Sequence, residues 1–221
     1  MERKKIIKVI IIILMLCVII FLVNTFRKFF ILQEMQNNAD IHISKLDFQT
    51  KVTIIKNDKI ITTTNLYKKG NNTAVIINNN EQDTKTSLYY DDQYCDEFYE
   101  NSESKTAKLK STSTLTETLI PNYIQIDTKW LTFCAGIKNK IKEVECNGKE
   151  CYLITGNIAS SFPLGSSDIK EMYFEKDTGL CIKIVSNNEE KKEMEYNFDS
   201  VPDGIFKKPD INEYEIIEEK S

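Results

Sequence analysis

An α+β chain, with one membrane-crossing helix ahead of an antiparallel sheet, is predicted by three observations. Fifteen apolar residues run without a break from Val9 to Val23. Beyond Thr50 the apolar period falls to two, as in Val52/Ile54, Val75/Ile77, Met172/Phe174, Leu180/Ile182/Ile184 and Met194/Tyr196/Phe198. These runs are short and separated by turn residues at intervals of about 8–15, the pattern of a meander with one apolar and one wet face.

The first element divides by charge. Residues 1–5 form a basic cytoplasmic leader, and residues 6–23 a signal anchor in which Lys8 snorkels. Eighteen residues are short but adequate for a hydrocarbon core of roughly 30 Å. No Ala-x-Ala-like cleavage site follows Val23, and the bulky Leu16 before Cys17 disfavours lipoprotein processing. Arg3, Lys4, Lys5 and Lys8 outweigh Arg27 and Lys28, so the N-terminus stays inside. The expected location is a bacterial cell membrane, crossed once, with the C-terminal domain extracytoplasmic. The many Ile, Lys and Asn residues suit a low-GC bacterium. Residues 24–45 keep Phe26, Phe29, Phe30, Leu32 and Met35 at helical spacing, which predicts a juxtamembrane helix continuing the span.

Residues 46–217 form the extracytoplasmic β domain, followed by a tail at 218–221. Its turns fall at Asn57-Asp58, Lys69-Gly70-Asn71-Asn72, Asn78-Asn79-Asn80, Asp91-Asp92, Asn147-Gly148, Asp177-Thr178-Gly179 and Asn187-Asn188. The dry face needs a cover, either helices or a ligand. Between Ser111 and Ile141 the pattern is helical. Ser111-Thr112-Ser113-Thr114 caps a short helix ending before Pro121, and Trp130, Leu131, Phe133 and Ile137 supply apolar bulk. This segment either packs a helix onto the sheet or forms a mobile cover over a cavity. In the second case Trp130, Leu131 and Phe133 line the ligand- or partner-binding surface.

Composition narrows the function. After residue 32 the chain carries 23 bases against 32 acids, a poor match to phosphate, so nucleic acid is not an expected partner. Eighteen aromatics in the same stretch argue against disorder. The single histidine, His42, is expected to be a solvated surface residue, and phosphate-loop, dinucleotide, zinc-protease and nucleophile-elbow motifs do not occur. A non-enzyme without metal or cofactor is expected. Outside the span lie Cys95, Cys134, Cys146, Cys151 and Cys181, an odd number. A two-residue turn at Asn147-Gly148 would oppose Glu145 to Glu150, a like-charge pair. A four-residue loop would instead oppose Cys146 to Cys151 and permit a local disulfide.

The C-terminal quarter carries a family pattern. Met172 to Lys183 reads as a strand, an Asp177-Thr178-Gly179 turn and a second strand. Met194-Glu195-Tyr196-Asn197-Phe198 follows, then Ile205-Phe206-Lys207-Lys208-Pro209-Asp210 with Tyr214; upstream stands Tyr67-Lys68-Lys69-Gly70. This set resembles the LolA/LolB/RseB-like superfamily of extracytoplasmic proteins. With Asn147-Gly148-Lys149-Glu150-Cys151-Tyr152 it is similar to clostridial proteins related to the spore-germination lipoprotein GerS. The resemblance implies a curved antiparallel sheet, or half-barrel, covered by helices, whose apolar hollow binds a partner protein in a regulatory role. Carriage or sensing of lipid or lipoprotein acyl chains is the alternative.

Overall fold

A computed structural model describes residues 2–43, 47–90, 94–111, 129–156, 168–199 and 201–217. The apolar span and the predicted juxtamembrane helix form one unbroken helix, α1 (Glu2–Ile43). Nothing between them breaks it: no proline or glycine occurs before Gly70. Its side chains from Ile6 to Asn24 are exposed, and the helix is long and apolar enough to cross a membrane. Thr25, Leu32, Met35 and Ala39 are buried at intervals of seven, three and four, which places them on one face.

Six strands then run as a meander: β1 (Phe48–Lys56), β2 (Lys59–Lys69), β3 (Asn72–Asn79), β4 (Thr84–Tyr90), β5 (Cys95–Glu100) and β6 (Lys105–Ser111). Helix α2 (Lys129–Lys138) leads into a second meander. Its strands are β7 (Asn139–Cys146), β8 (Lys149–Gly156), β9 (Ile169–Glu175), β10 (Cys181–Ser186) and β11 (Lys191–Asn197). The first strand of one meander pairs antiparallel with the last of the other, Gln49 opposite Asn197 and Val52 opposite Met194. With the short strand β12 (Glu215–Ile216), the result is a 12-stranded sheet in the order β12-β6-β5-β4-β3-β2-β1-β11-β10-β9-β8-β7. Only β12 is parallel to its described neighbour, β6.

Turn chemistry sets the hairpins. Asn57 and Asp58 both adopt positive φ, as do Asn147 and Gly148, the requirement of two-residue turns that match strand twist. At β3–β4 the Asn79 side chain accepts from the amides of Glu81 and Gln82, fixing the loop.

Apolar cover lies on opposite faces of the two halves. Leu32 and Met35 of α1 join Val52, Ile154, Met172, Phe174, Ile184 and Met194 in one core. On the other meander, Ala74, Tyr89, Phe98 and Ala107 are packed by Ile205, Phe206 and Tyr214 of the C-terminal segment. Register makes these faces opposite: Val52 pairs with Thr64, two residues from Leu66, whereas Tyr67 pairs with Ala74. The predicted strand Leu180/Ile182/Ile184 does not present all three residues to one face. A bulge at Cys181–Lys183 turns Ile182 toward Cys146 and Cys151, while Ile184 joins the α1 core.

The α1 segment is not a free stalk. Gly179 sits at φ +68 directly against it, where a Cβ would run into the backbone at Met35 and Ala39. Asn38 Nδ2 donates to the Lys176 carbonyl at 3.0 Å in the same turn. The expected short helix between Ser111 and Pro121 lies outside the described residues, apart from Ser111.

Candidate binding groove

Residues Arg27 and Ile31, one helical turn apart on α1, face the outer strands of the second meander. With Ile141, Lys142, Glu143 and Tyr152 they line a groove of about 370 Å³. Alternation on β7 brings Ile141 and Glu143 to one face, and Glu143 pairs with Tyr152 on β8. Ile31 and Ile141 are half-buried and Tyr152 is buried, so the floor is apolar. Among the described residues β7 ends the sheet, leaving the groove beside a strand margin.

The rim is charged and internally paired. Arg27 meets Glu143 at 2.9 Å, Glu143 meets Lys176 at 3.0 Å, and Lys176 meets Glu150 at 3.3 Å. The Lys176 hydrogen bond, then that of Arg27, holds the Glu143 carboxyl below the usual carboxylate range. Lys176 Nζ also lies 5.2 Å from the Tyr152 ring centroid. Lys28 Nζ donates to the Asn139 carbonyl at 2.9 Å, tying α1 to the α2–β7 junction. A larger cleft of about 450 Å³ involves Asn78, Asp83, Lys85, Glu100 and Asn101. Its lining is polar turn residues, so it offers no apolar anchor.

The residues predicted from the sequence fall elsewhere. Trp130, Leu131 and Phe133 stand on α2, which packs on α1. A Cβ on Gly136 would touch Lys28 Cβ at 3.4 Å and the Phe29 amide nitrogen at 3.6 Å. The Phe133 ring lies 5.8 Å from that of Phe26. Leu131 is exposed, and the Trp130 side chain lies outside the described residues. The described part of this segment is a helix packed against α1 around Thr25–Phe29.

The Cys146–Cys151 expectation needs correcting at the turn. The loop has two residues, not four, so Cys146 pairs with Lys149 and Glu145 faces Glu150. Asn147-Gly148 satisfies the positive φ values so well that the like-charge pair is tolerated at the exposed surface. Both thiols are free and lie diagonally on one face beside Ile182. Burial raises the Cys146 thiol and pushes Cys151 up to about 11 and Cys181 to about 12. Such cysteines are protonated near neutrality and poor nucleophiles. His42 is half-buried rather than fully solvated. Its Nδ1 lies 2.9 Å from the Asn38 carbonyl, and its ring packs 5.3 Å from Phe198. Among the described residues no group of three or more His, Cys, Asp or Glu could hold a metal ion.

Sequence reasoning missed the groove. The i, i+4 spacing of Arg27 and Ile31 and the alternation of Ile141 and Glu143 are visible signals, but nothing in the sequence brings them together.

No protein-family model matches the chain, and no curated protein matches it in sequence. Its fold is shared with a solved structure. The chain is similar to an uncharacterized conserved protein from Thermus thermophilus, at a TM-score of 0.50 and 9% identity. That match covers 85% of this chain and 98% of the other. A looser similarity, TM-score 0.34 at 12% identity, is to MucB in a complex with MucA(peri). It covers 79% of this chain and 58% of that one.

Proposed function

We propose that this chain is a non-catalytic, membrane-anchored extracytoplasmic module whose groove between α1 and β7 binds a segment of a partner protein. The observation that carries the reading is the groove itself. An apolar floor of Ile31, Ile141 and Tyr152 sits inside a rim of Arg27, Lys142 and Glu143. An anchor that excludes water, ringed by polar groups that fix orientation, is the usual anatomy of a protein-binding site. The charged rim favours a polypeptide over a bare acyl chain. The permanent helical anchor also restricts the reach that a lipid carrier needs. The buried Cys146, Cys151 and Cys181, held protonated, and a half-buried His42 support the non-catalytic side of the proposal. The half-barrel description, the GerS-like regulatory role and the bacterial envelope setting are drawn from the sequence resemblance and belong to the same proposal.

The test is photo-crosslinking in intact cells from a reactive residue replacing Lys142, with Ile31→Arg and Tyr152→Ala as groove variants. The expected result is a discrete protein adduct that both variants reduce at unchanged protein level. An adduct indifferent to both variants would remove the groove from the account. Phospholipid captured in place of protein, and lost in both groove variants, would favour acyl-chain binding in the groove.

A further inference from the structure

We propose that the outer face of α2 is a lipid-contacting surface that seats the sheet domain on anionic phospholipid at the membrane boundary. The inference rests on α1 crossing the bilayer and uses residues apart from the groove floor. Helix α2 has the sequence Lys-Trp-Leu-Thr-Phe-Cys-Ala-Gly-Ile-Lys, with lysine at each end and no acid. Thr132, Ala135 and Gly136, with Asn139 just beyond, are buried and share one face by helical spacing. The opposite arc should be polar in a water-facing helix. It carries Ile137 and half-buried Cys134 instead, with Leu131 at one border and Phe133, packed on Phe26, at the other. Leu131 is 51% exposed and Ile137 44%.

The position of α2 along α1 identifies what this arc meets. Gly136 packs at Thr25, Lys28 and Phe29. These residues lie about 3–9 Å beyond Val23 at roughly 1.5 Å rise per residue. The interfacial layer on each side of a bilayer core is about 5–7 Å deep, so α2 is held at headgroup height. Beside it α1 exposes Phe26 (48%) and Phe30 (63%), extending the apolar collar. Basic residues crowd the same level. Arg27 and Lys28 lie on α1, and Lys138, Lys140 and Lys142 on or after α2, with Glu143 already paired to Arg27. Apolar residues ringed by lysine and arginine are the composition of a helix lying in an anionic interface.

The chain's one tryptophan is Trp130, so single-tryptophan probes are available. Full-length protein carrying Trp130→Phe with Ile137→Trp, Leu131→Trp or Leu14→Trp is reconstituted into vesicles of phosphatidylcholine and phosphatidylglycerol. Part of the lipid is brominated, either near the carbonyl end or near the methyl end of the acyl chain. Expected is loss of emission at Ile137→Trp and Leu131→Trp mainly with shallow bromine, and at Leu14→Trp mainly with deep bromine. Quenching at Leu14→Trp but at neither α2 position overturns this proposal, because protein then covers the face. No quenching at Leu14→Trp overturns the transmembrane reading and this proposal with it.

Discussion

Gly179 is where one methyl group decides whether the two parts of the chain fit. Its φ of +68 already disfavours any other residue, and the α1 backbone occupies the space a Cβ needs. Gly179→Ala is expected to destabilise the domain by about 3 kcal/mol, measured by chemical unfolding of the full chain in detergent. Gly148→Ala is the control, at φ +74 with nothing nearby, and should cost only about 1 kcal/mol. At the other side of the sheet, Tyr214 donates to Glu100 at 2.5 Å. That bond, followed by Lys85 and Lys105, holds the Glu100 carboxyl below its ordinary 4.5 against the opposing effect of burial. A depressed folded pKa means the contribution is complete above the unfolded value and lost as pH falls through the folded one. Wild-type stability should therefore fall as the pH drops below 4.5, and Tyr214→Phe should flatten part of that fall in acid-unfolding curves. The buried thiols make a third expectation. With Cys151 near 11 and Cys181 near 12, iodoacetamide at about pH 8 should label both far more slowly in the folded chain than after urea unfolding. Free Cys146 and Cys151 in the same mass map would agree with the structure, and a bridge between them would contradict it. Single residues were unevenly legible. Asn57-Asp58 and Asn147-Gly148 announce their turns through φ preference, whereas Gly179 reads as a turn glycine and conceals its second role. That role depends on a helix about 140 residues away in sequence.

Among the elements, α1 combines an exposed stretch with a docked one. Leu32 and Met35 are fully buried against β9, β10 and β11, while Phe30 beside them is exposed. Met35→Ala should cost about 2–5 kcal/mol through lost burial and the cavity left behind. Phe30→Ser should cost less than about 0.5 kcal/mol. Equal effects of the two changes on thermal unfolding would mean α1 does not dock as described. The helix was legible because fifteen apolar residues at one end exceed what a soluble core helix needs. Its docking was not, because Phe26, Phe29, Phe30, Leu32 and Met35 surround the axis too evenly to choose a face. The bulge at Cys181–Lys183 was equally hidden, since Leu180/Ile182/Ile184 alternate regularly and only the pairing with Phe174 and Tyr173 shows the extra residue.

For the whole molecule, each local strand-turn-strand unit was legible from period and turn residues. The joining of two meanders through β1 and β11 was not, because the pairing of Gln49 with Asn197 spans most of the domain and leaves no local mark. The groove inherits that difficulty, since its walls come from residues 27–31 and 141–152. Its use by an outside partner depends on which side of the membrane the sheet occupies. Protease added to sealed protoplasts, followed by mass measurement of the surviving fragments, tests this most directly. The account predicts that residues 47–217 are digested while a fragment containing Ile6 to Val23 remains protected in the membrane. A sheet domain that survives until the membrane is lysed would contradict it.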